Sequence, residues 1–160
     1  MGNRYRAVIL VFIVTVLFSC GGKKDTVLPE RKTIDPSPSK VVEEFLKAQQ
    51  KEDFEKAYHY AFVPYTDKDG YVTNMKNTFK EHQISILDFR LLATQIYDRT
   101  ATVVIELKTR IKSPKTGALV DRTQRSQYDL GLFNDKWKVT GDNCIQNCIE
   151  TEHPLGQPSK

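Results

Sequence analysis

The sequence of 160 residues has little of what would identify a metal site or an enzyme. It contains three cysteines and three histidines, and the histidines (His59, His82 and His153) lie far apart in the chain. Structural zinc takes about four ligands, so the sequence predicts no metal site, and we expect no cofactor. No acid–base pair can be placed from the sequence alone, so it gives no basis for a catalytic assignment.

An excess of charge of one sign is also lacking. The chain has 24 basic and 20 acidic residues, which gives a formal charge of +4. Two of the basic residues, Arg4 and Arg6, lie in the N-terminal segment, and without them the charge is about +2. No basic run alternates with aromatic residues either. The sequence therefore does not predict a nucleic-acid partner.

A long apolar run occurs near the N-terminus, from Ala7 to Phe18, after the basic residues Arg4 and Arg6. It is shorter than the roughly 20 apolar residues that a membrane-spanning helix needs. Its length and its basic flank are typical of the hydrophobic part of a signal peptide. We therefore predict that residues 1–19 form a signal peptide.

The four residues Leu17-Phe18-Ser19-Cys20 that end this segment resemble the lipobox of bacterial lipoproteins. The resemblance implies that Cys20 is diacylated through its sulfur, becomes the mature N-terminus and anchors the protein in a membrane. An ordinary secretory signal or a short membrane anchor is the alternative. Gly21 stands where an aspartate is associated with inner-membrane retention in enteric bacteria. The expected location is thus the bacterial cell envelope, with the periplasmic face of the outer membrane favoured if two membranes are present.

Composition divides the mature chain into three parts. Residues 20–38 are polar and proline-containing, without periodicity, which predicts a flexible tether. Residues 39–148 carry the periodic apolar patterns and have the length of one domain. Residues 149–160 are predicted to be a disordered tail.

Helical periodicity begins after Ser37 or Ser39, either of which can cap the first turn. The apolar residues that recur at helical spacing are Val41, Val42, Phe45, Leu46, Phe54, Ala57, Tyr58 and Ala61. They predict one amphipathic helix over Lys40–Phe62, or two shorter helices broken near Lys51–Asp53. A further helix is predicted over Tyr71–His82. We interpret the segment before it, Val63–Gly70, as a break that ends in an Asp69-Gly70 turn.

The rest of the domain is rich in β-forming residues. Predicted strands run over Ile84–Tyr97, Thr100–Ile111, Leu119–Phe133 and Lys136–Asp142. The first changes phase, which predicts a bulge or a strand buried on both sides. Helices followed by antiparallel strands with short turns indicate an α+β domain. The residues expected to be buried are Phe45, Leu46, Phe54, Ile105, Leu107, Leu130 and Trp137.

Three segments, VVEEFLKAQQKEDFEKAYHYAF, DRTATVVIEL and SQYDLGLFNDKWKVTGD, resemble the nuclear-transport-factor-2-like (NTF2-like), cystatin-like cone superfamily, particularly its small bacterial lipoproteins. The clearest matches are Asp53–Ala57 in the helix and Trp137-Lys138-Val139 in the last strand. The resemblance covers Lys40 to Asp142 and implies helices packed on a curved four-stranded antiparallel sheet. It implies no particular activity, because the superfamily contains enzymes, binding modules and assembly domains.

The third predicted strand carries a set of polar residues on the face of Leu130. They are Arg122, Gln124, Ser126 and Tyr128, which are candidate pocket-lining residues. The alternative, which we favour, is that the strand extends past the helix and leaves this half of its face wet. A second region of interest is an aromatic cluster that could form an exposed apolar patch; its members are Tyr58, Tyr60, Phe62, Tyr65 and Tyr71.

Two cysteines remain after Cys20 is assigned to the anchor. In an oxidising compartment Cys144 and Cys148 predict a local disulfide. The spacing suits a bridge if residues 143–149 form a helical turn, whose first and fifth Cα atoms lie about 6 Å apart. Two free thiols, or a redox or metal pair, are the alternatives.

Together these features favour a lipid-anchored envelope protein that acts as a non-catalytic binding or assembly module. Its partner would be an unknown envelope protein or small ligand. One alternative is an enzyme that acts on a small hydrophobic substrate in the cone, around Arg122, Gln124 and Tyr128. Another is a structural envelope component without a ligand.

Overall fold

The computed structural model describes residues 35–148. The predicted signal peptide, Cys20, most of the tether, His153 and the tail lie outside the described residues. Within residues 35–148 the elements are α1 (Pro38–Gln50), α2 (Phe54–Tyr58), α3 (Lys68–His82), β1 (Ser85–Tyr97), β2 (Thr100–Lys112), β3 (Leu119–Phe133) and β4 (Lys136–Gln146). The strands form one antiparallel sheet in the order β1-β2-β3-β4. The predicted α+β class is confirmed.

The first amphipathic segment forms two helices rather than one. Ser37 caps α1, and its side chain accepts a hydrogen bond from the backbone N–H of Lys40. The break follows Gln50, where Glu52 adopts a left-handed backbone with φ of 54°. Asp53 then caps α2 by accepting from the N–H of Lys56. The alternative of two helices broken near Lys51–Asp53 is therefore the correct one.

The third helix begins three residues earlier than Tyr71. The carboxylate of Asp67 accepts a hydrogen bond of 2.8 Å from the N–H of Gly70, so Asp67 is the cap and Lys68 the first helical residue. The interpretation of Asp69-Gly70 as a turn was wrong. The Asp69-Gly70 pair alone indicates a turn. Asp67 accepts from a free N–H of the first helical turn, however, and this cap starts a helix instead. Among the described residues, no helix is both long and apolar enough to span a membrane.

The first strand contains the predicted bulge and is not buried on both sides. Its pairing with β2 shifts register between Ile86 and Asp88 and again between Leu91 and Ala93. Ile86 is buried, whereas Leu92 and Ile96 are 38% and 43% exposed. The reason is that β1 is an edge strand and its second half lies largely in solvent. Of the two alternatives, the bulge is therefore correct and burial on both sides is not.

The core lies between α1 and the inner face of the sheet, the face that packs against the helices. All seven residues that were predicted to be buried are 0–7% exposed; they are Phe45, Leu46, Phe54, Ile105, Leu107, Leu130 and Trp137. Phe45 meets the ring of Tyr128 edge to face at a centroid distance of 6.2 Å. Phe54 packs in the same way on Phe79 of α3 at 4.8 Å. These contacts attach the helices to the sheet and to one another.

We expect Phe45→Ala to lower the free energy of unfolding by about 3–5 kcal/mol, because it removes a buried ring and leaves a cavity. Urea denaturation followed by circular dichroism measures this loss. Tyr65→Ala is the matched control: Tyr65 is 96% exposed, and its truncation should change stability by no more than about 0.5 kcal/mol. A loss below about 1 kcal/mol for Phe45→Ala would contradict the role of α1 as the element that covers the sheet.

Candidate functional site

The structure places the four polar residues of β3 on the inner face, in a gradient of burial. Ser126 and Tyr128 are each only 3% exposed, whereas Arg122 and Gln124 are half-buried. The side-chain amide of Gln124 donates a hydrogen bond of 3.1 Å to the hydroxyl of Ser126. The helices thus cover the strand as far as Ser126. Beyond this point the inner face of β3 becomes accessible to solvent.

The structure adds a carboxylate that the sequence could not place. Asp142 of β4 lies directly opposite Tyr128 of β3, and residues opposite each other in an antiparallel pair share a face. Simple alternation from Trp137 and Val139, which are buried, would put Asp142 on the outer face. The register shifts at Thr140, which has no partner on β3, so Asp142 returns to the inner face.

A second residue near this face is Tyr71 of α3, which the sequence placed only in an aromatic cluster. Its hydroxyl is buried and has no hydrogen-bond partner among the described residues. Burial is the main cause that raises the pKa of Tyr71 to about 12. The side chain of Gln49 lowers this pKa, although its position relative to the Tyr71 hydroxyl does not meet hydrogen-bond geometry. The charge of Asp142 raises the pKa further. Burial is also the main cause that raises the pKa of Tyr128, followed by Asp142 and then Tyr71. Tyr71, Tyr128 and Asp142 therefore interact with one another.

Asp142 is an exposed but partly desolvated carboxyl group. Its side chain reaches solvent, yet loss of hydration raises the pKa of its carboxyl group, against the opposing effect of its own backbone hydrogen bond. Both observations hold when protein surrounds the carboxylate without covering it. We name the group Tyr71, Gln124, Ser126, Tyr128 and Asp142 the inner polar site. It presents two neutral phenols, which can donate hydrogen bonds, and the carboxylate oxygens of Asp142, which can accept them.

The two C-terminal cysteines form the disulfide that the sequence predicted, with Cα atoms 5.6 Å apart. The assumed helical turn is absent from the described part of this segment, because β4 continues to Gln146 and pairs Cys144 with Ser126. The chain turns at Asn147, whose φ is 58°, and this turn brings Cys148 back to Cys144. The sequence gives no sign of this extension, because Asn143–Gln146 does not alternate between polar and apolar residues.

The remaining candidates lie outside the inner polar site. His59 and His82 are exposed and lie at the ends of α2 and α3. Within residues 35–148, no group of three or more histidine, cysteine or acidic side chains is arranged to hold a metal ion. Of the aromatic cluster, Tyr60 and Tyr71 pack against the core, and Phe62 and Tyr65 are exposed. The cluster therefore does not form one surface.

No protein-family model matches the chain, and no curated protein matches it. Among solved structures, it is similar to a ketosteroid isomerase-like protein from Erwinia carotovora atroseptica, with 12% identity, 69% of this chain and 93% of that chain covered, and a TM-score of 0.53. It is also similar to a SEC-C motif-containing protein from Rhodopseudomonas palustris, with 15% identity, 69% of this chain and 80% of that chain covered, and a TM-score of 0.52. For an NTF2-like protein with a cystatin-like fold from Novosphingobium aromaticivorans, the identity is 7%, 68% of this chain and 78% of that chain are covered, and the TM-score is 0.48.

These similarities concern the fold alone, because the identities are low. Helices followed by a four-stranded antiparallel sheet, with the helices on its inner face, are the arrangement that the sequence predicted. The described domain therefore has a fold similar to that of the ketosteroid isomerase-like protein, in agreement with the fold that the sequence predicted. The similarities assign no ligand and no reaction to this chain.

The raised pKa of Asp142 predicts a pH-dependent effect of Asp142→Asn on stability. The folded state binds the Asp142 proton more tightly than the unfolded chain does, so the ionised carboxylate destabilises the fold above the unfolded pKa. At neutral pH we expect Asp142→Asn to be more stable than the wild type. This difference in stability should vanish below the unfolded aspartate pKa of about 4, where Asp142 is protonated in both the folded and the unfolded state. Urea denaturation at a series of pH values from neutral to below about 4 measures the difference in the free energy of unfolding.

Asp121→Asn serves as the control of opposite sign. Arg110 lowers the pKa of Asp121 through two hydrogen bonds, so this substitution should destabilise the protein at neutral pH and have no effect in acid. Parallel stability curves for Asp142→Asn and the wild type would show that Asp142 is fully hydrated.

Proposed function

We propose that this chain is a lipid-anchored protein of the bacterial cell envelope that binds a small molecule at the inner polar site without transforming it. The lipobox-like sequence at Cys20 and the polar segment 20–38 support the anchor and the tether. The observation that carries the binding role is the buried hydroxyl of Tyr71, which has no hydrogen-bond partner within residues 35–148 and whose pKa is raised by the charge of Asp142.

An unsatisfied buried hydroxyl destabilises a protein by about 1–3 kcal/mol. Such groups are rare in folded proteins, and each one requires an explanation. A ligand that accepts a hydrogen bond from Tyr71 would recover this free energy. Because the pKa of Tyr128 is raised as well, both phenols stay protonated and act as donors at neutral pH. The ligand that fits is a neutral molecule with a carbonyl or hydroxyl group on an apolar body.

We expect Tyr71→Phe to raise the free energy of unfolding by about 1–3 kcal/mol, since it removes a buried donor that has no partner in the described part of the chain. The same substitution should weaken the binding of a neutral probe such as naphthol about tenfold, which corresponds to one lost hydrogen bond. Urea denaturation and NMR titration of the backbone amides measure the two effects.

Tyr65→Phe is the matched control, because it removes the same atom from an exposed side chain. It should change neither stability nor probe binding. If Tyr71→Phe is no more stable than the wild type, the hydroxyl is already satisfied in the free protein. A gain in stability without any loss of probe binding would remove Tyr71 from the binding site.

An acid–base enzyme is the second candidate, and the carboxyl group of Asp142 beside Tyr128 favours it. Asp142→Asn distinguishes the two, because it keeps the shape of the side chain and one acceptor oxygen but cannot take up a proton. An enzyme would lose about 10²–10⁴-fold in turnover while it still binds the substrate. A binding module would show no product from the wild type or the variant under mass spectrometry.

The anchor is tested by Cys20→Ala. We expect the wild-type chain, expressed in a bacterium, to carry acyl groups on Cys20 and to partition into the membrane fraction. The variant has no sulfur at this position and should lack the acyl mass. Intact mass spectrometry and fractionation measure both. A wild-type product that is secreted without acyl groups would contradict the lipidation and leave the inner polar site unaffected.

A further inference from the structure

The outer face of the sheet carries a cavity that the proposed function does not use. Trp137 and Val139 of β4 are buried on the inner face, so Lys136 and Lys138 between them lie on the outer face. The segment after α2 runs along the free edge of β4. The N–H of Phe62 donates to the carbonyl of Val139, and the N–H of Val139 donates to the carbonyl of Tyr60, both at 2.8 Å. A cavity of about 530 Å³ lies between this segment and the β3–β4 hairpin.

We name this cavity the outer cavity. One of its walls is aromatic. The rings of Phe62 and Phe133 stack with centroids 4.1 Å apart and planes inclined by 7°. They stay 41% and 36% exposed, respectively. Gly131 lies close to this wall, since a Cβ atom there would approach the Phe133 ring to 2.7 Å. The absence of a side chain at Gly131 thus permits this ring position, and the wall presents a flat apolar surface.

The charge of the outer cavity is uncompensated. Lys136, Lys138 and His59 line it, and no acidic side chain does so among the described residues. Other lysines of the domain are ion-paired, such as Lys47 with Glu43 at 2.5 Å. Lys136 and Lys138 form no ion pair within residues 35–148. The ammonium group of Lys138 donates to the backbone carbonyl of His59. Burial and the charge of Lys136 lower the pKa of Lys138.

We propose that the outer cavity binds an amphiphilic anion, a small soluble molecule with a flat apolar body and one sulfonate, carboxylate or phosphate group. The apolar body lies against Phe62 and Phe133, and the anionic group lies between Lys136 and Lys138. An anion there offsets the partial burial of Lys138 and the repulsion between Lys138 and Lys136. The volume falls in the range of about 300–1,000 Å³ that is typical of small-molecule sites, whereas contact with a flat membrane requires no cavity.

The test uses a pair of fluorescent probes that differ in one group. Anilinonaphthalene sulfonate carries the anion, and phenylnaphthylamine has the same aromatic body without it. The protein is the chain from residue 20 to residue 160 with Cys20→Ala, so that no acyl group competes for the cavity. We expect the sulfonate to bind one to one and at least about tenfold more tightly than the neutral probe, because hydrogen bonds to charged groups are stronger than neutral ones. Amide shifts should centre on residues 133–138.

Four variants locate the contributions. Lys136→Gln/Lys138→Gln should weaken sulfonate binding about tenfold or more and leave the neutral probe unchanged. Lys108→Gln/Lys112→Gln removes the same charge from exposed lysines of β2 and should change neither affinity. Phe62→Ala should weaken both probes equally. Thermal melts establish that each variant folds, and Tyr71→Phe should leave sulfonate binding intact, which separates this site from the inner polar site.

Three outcomes would overturn the proposal. The first is equal sulfonate affinity in the two double-lysine variants. The second is equal affinity of the wild type for the charged and neutral probes. The third is binding to phosphatidylglycerol vesicles that depends on Lys136 and Lys138, without binding of the soluble sulfonate. This last result would identify the surface as a membrane contact instead of a small-molecule site.

Discussion

The packing of α1 against the inner face of the sheet is the interaction on which the domain depends. A helix of 13 residues has marginal stability alone, and a sheet with one apolar face requires a cover. Val42 and Leu46 are fully buried, as are Val103 and Ile105 on β2. The ion pairs of α1, such as Lys40 with Glu43, lie on the solvent side and contribute little to stability. Apolar burial between helix and sheet therefore holds the fold together.

The limited reach of the helices also determines where a site can form. Along β3 the inner face changes from Leu130, through Tyr128 and Ser126, to Gln124 and Arg122, as burial decreases. Polar side chains occupy the part of the strand where cover ends, because a polar group is tolerated in a core only when its hydrogen bonds are satisfied. The inner polar site is thus the boundary of the core. Its carboxylate and its phenols are partly desolvated for this reason.

Local periodicity was sufficient to predict the helices, the strands and all seven buried residues, because helix and strand patterns depend on neighbours in the sequence. The start of α3 was missed because the Asp67 cap competes with an Asp69-Gly70 turn signal. Asp142 was missed because a bulge is a property of two paired strands, and the burial of Tyr71 because it depends on the packing of α3. The candidate residues on β3 were predictable from the sequence. The position of Asp142 and the burial of Tyr71, which complete the inner polar site, were not.

The bulge at Thr140 separates two sites of opposite charge on one strand. The hydroxyl of Thr140 donates to the carbonyl of Asp129 at 3.1 Å, which supports the backbone where the ladder is interrupted. Without the extra residue, Asp142 would lie on the outer face with Lys136 and Lys138, because a shift of one residue exchanges the faces of a strand. The carboxylate would then bring negative charge to the face of the lysines and weaken the attraction of the outer cavity for an anion. A single unpaired residue thus keeps an acid on the inner face and two cations on the outer one.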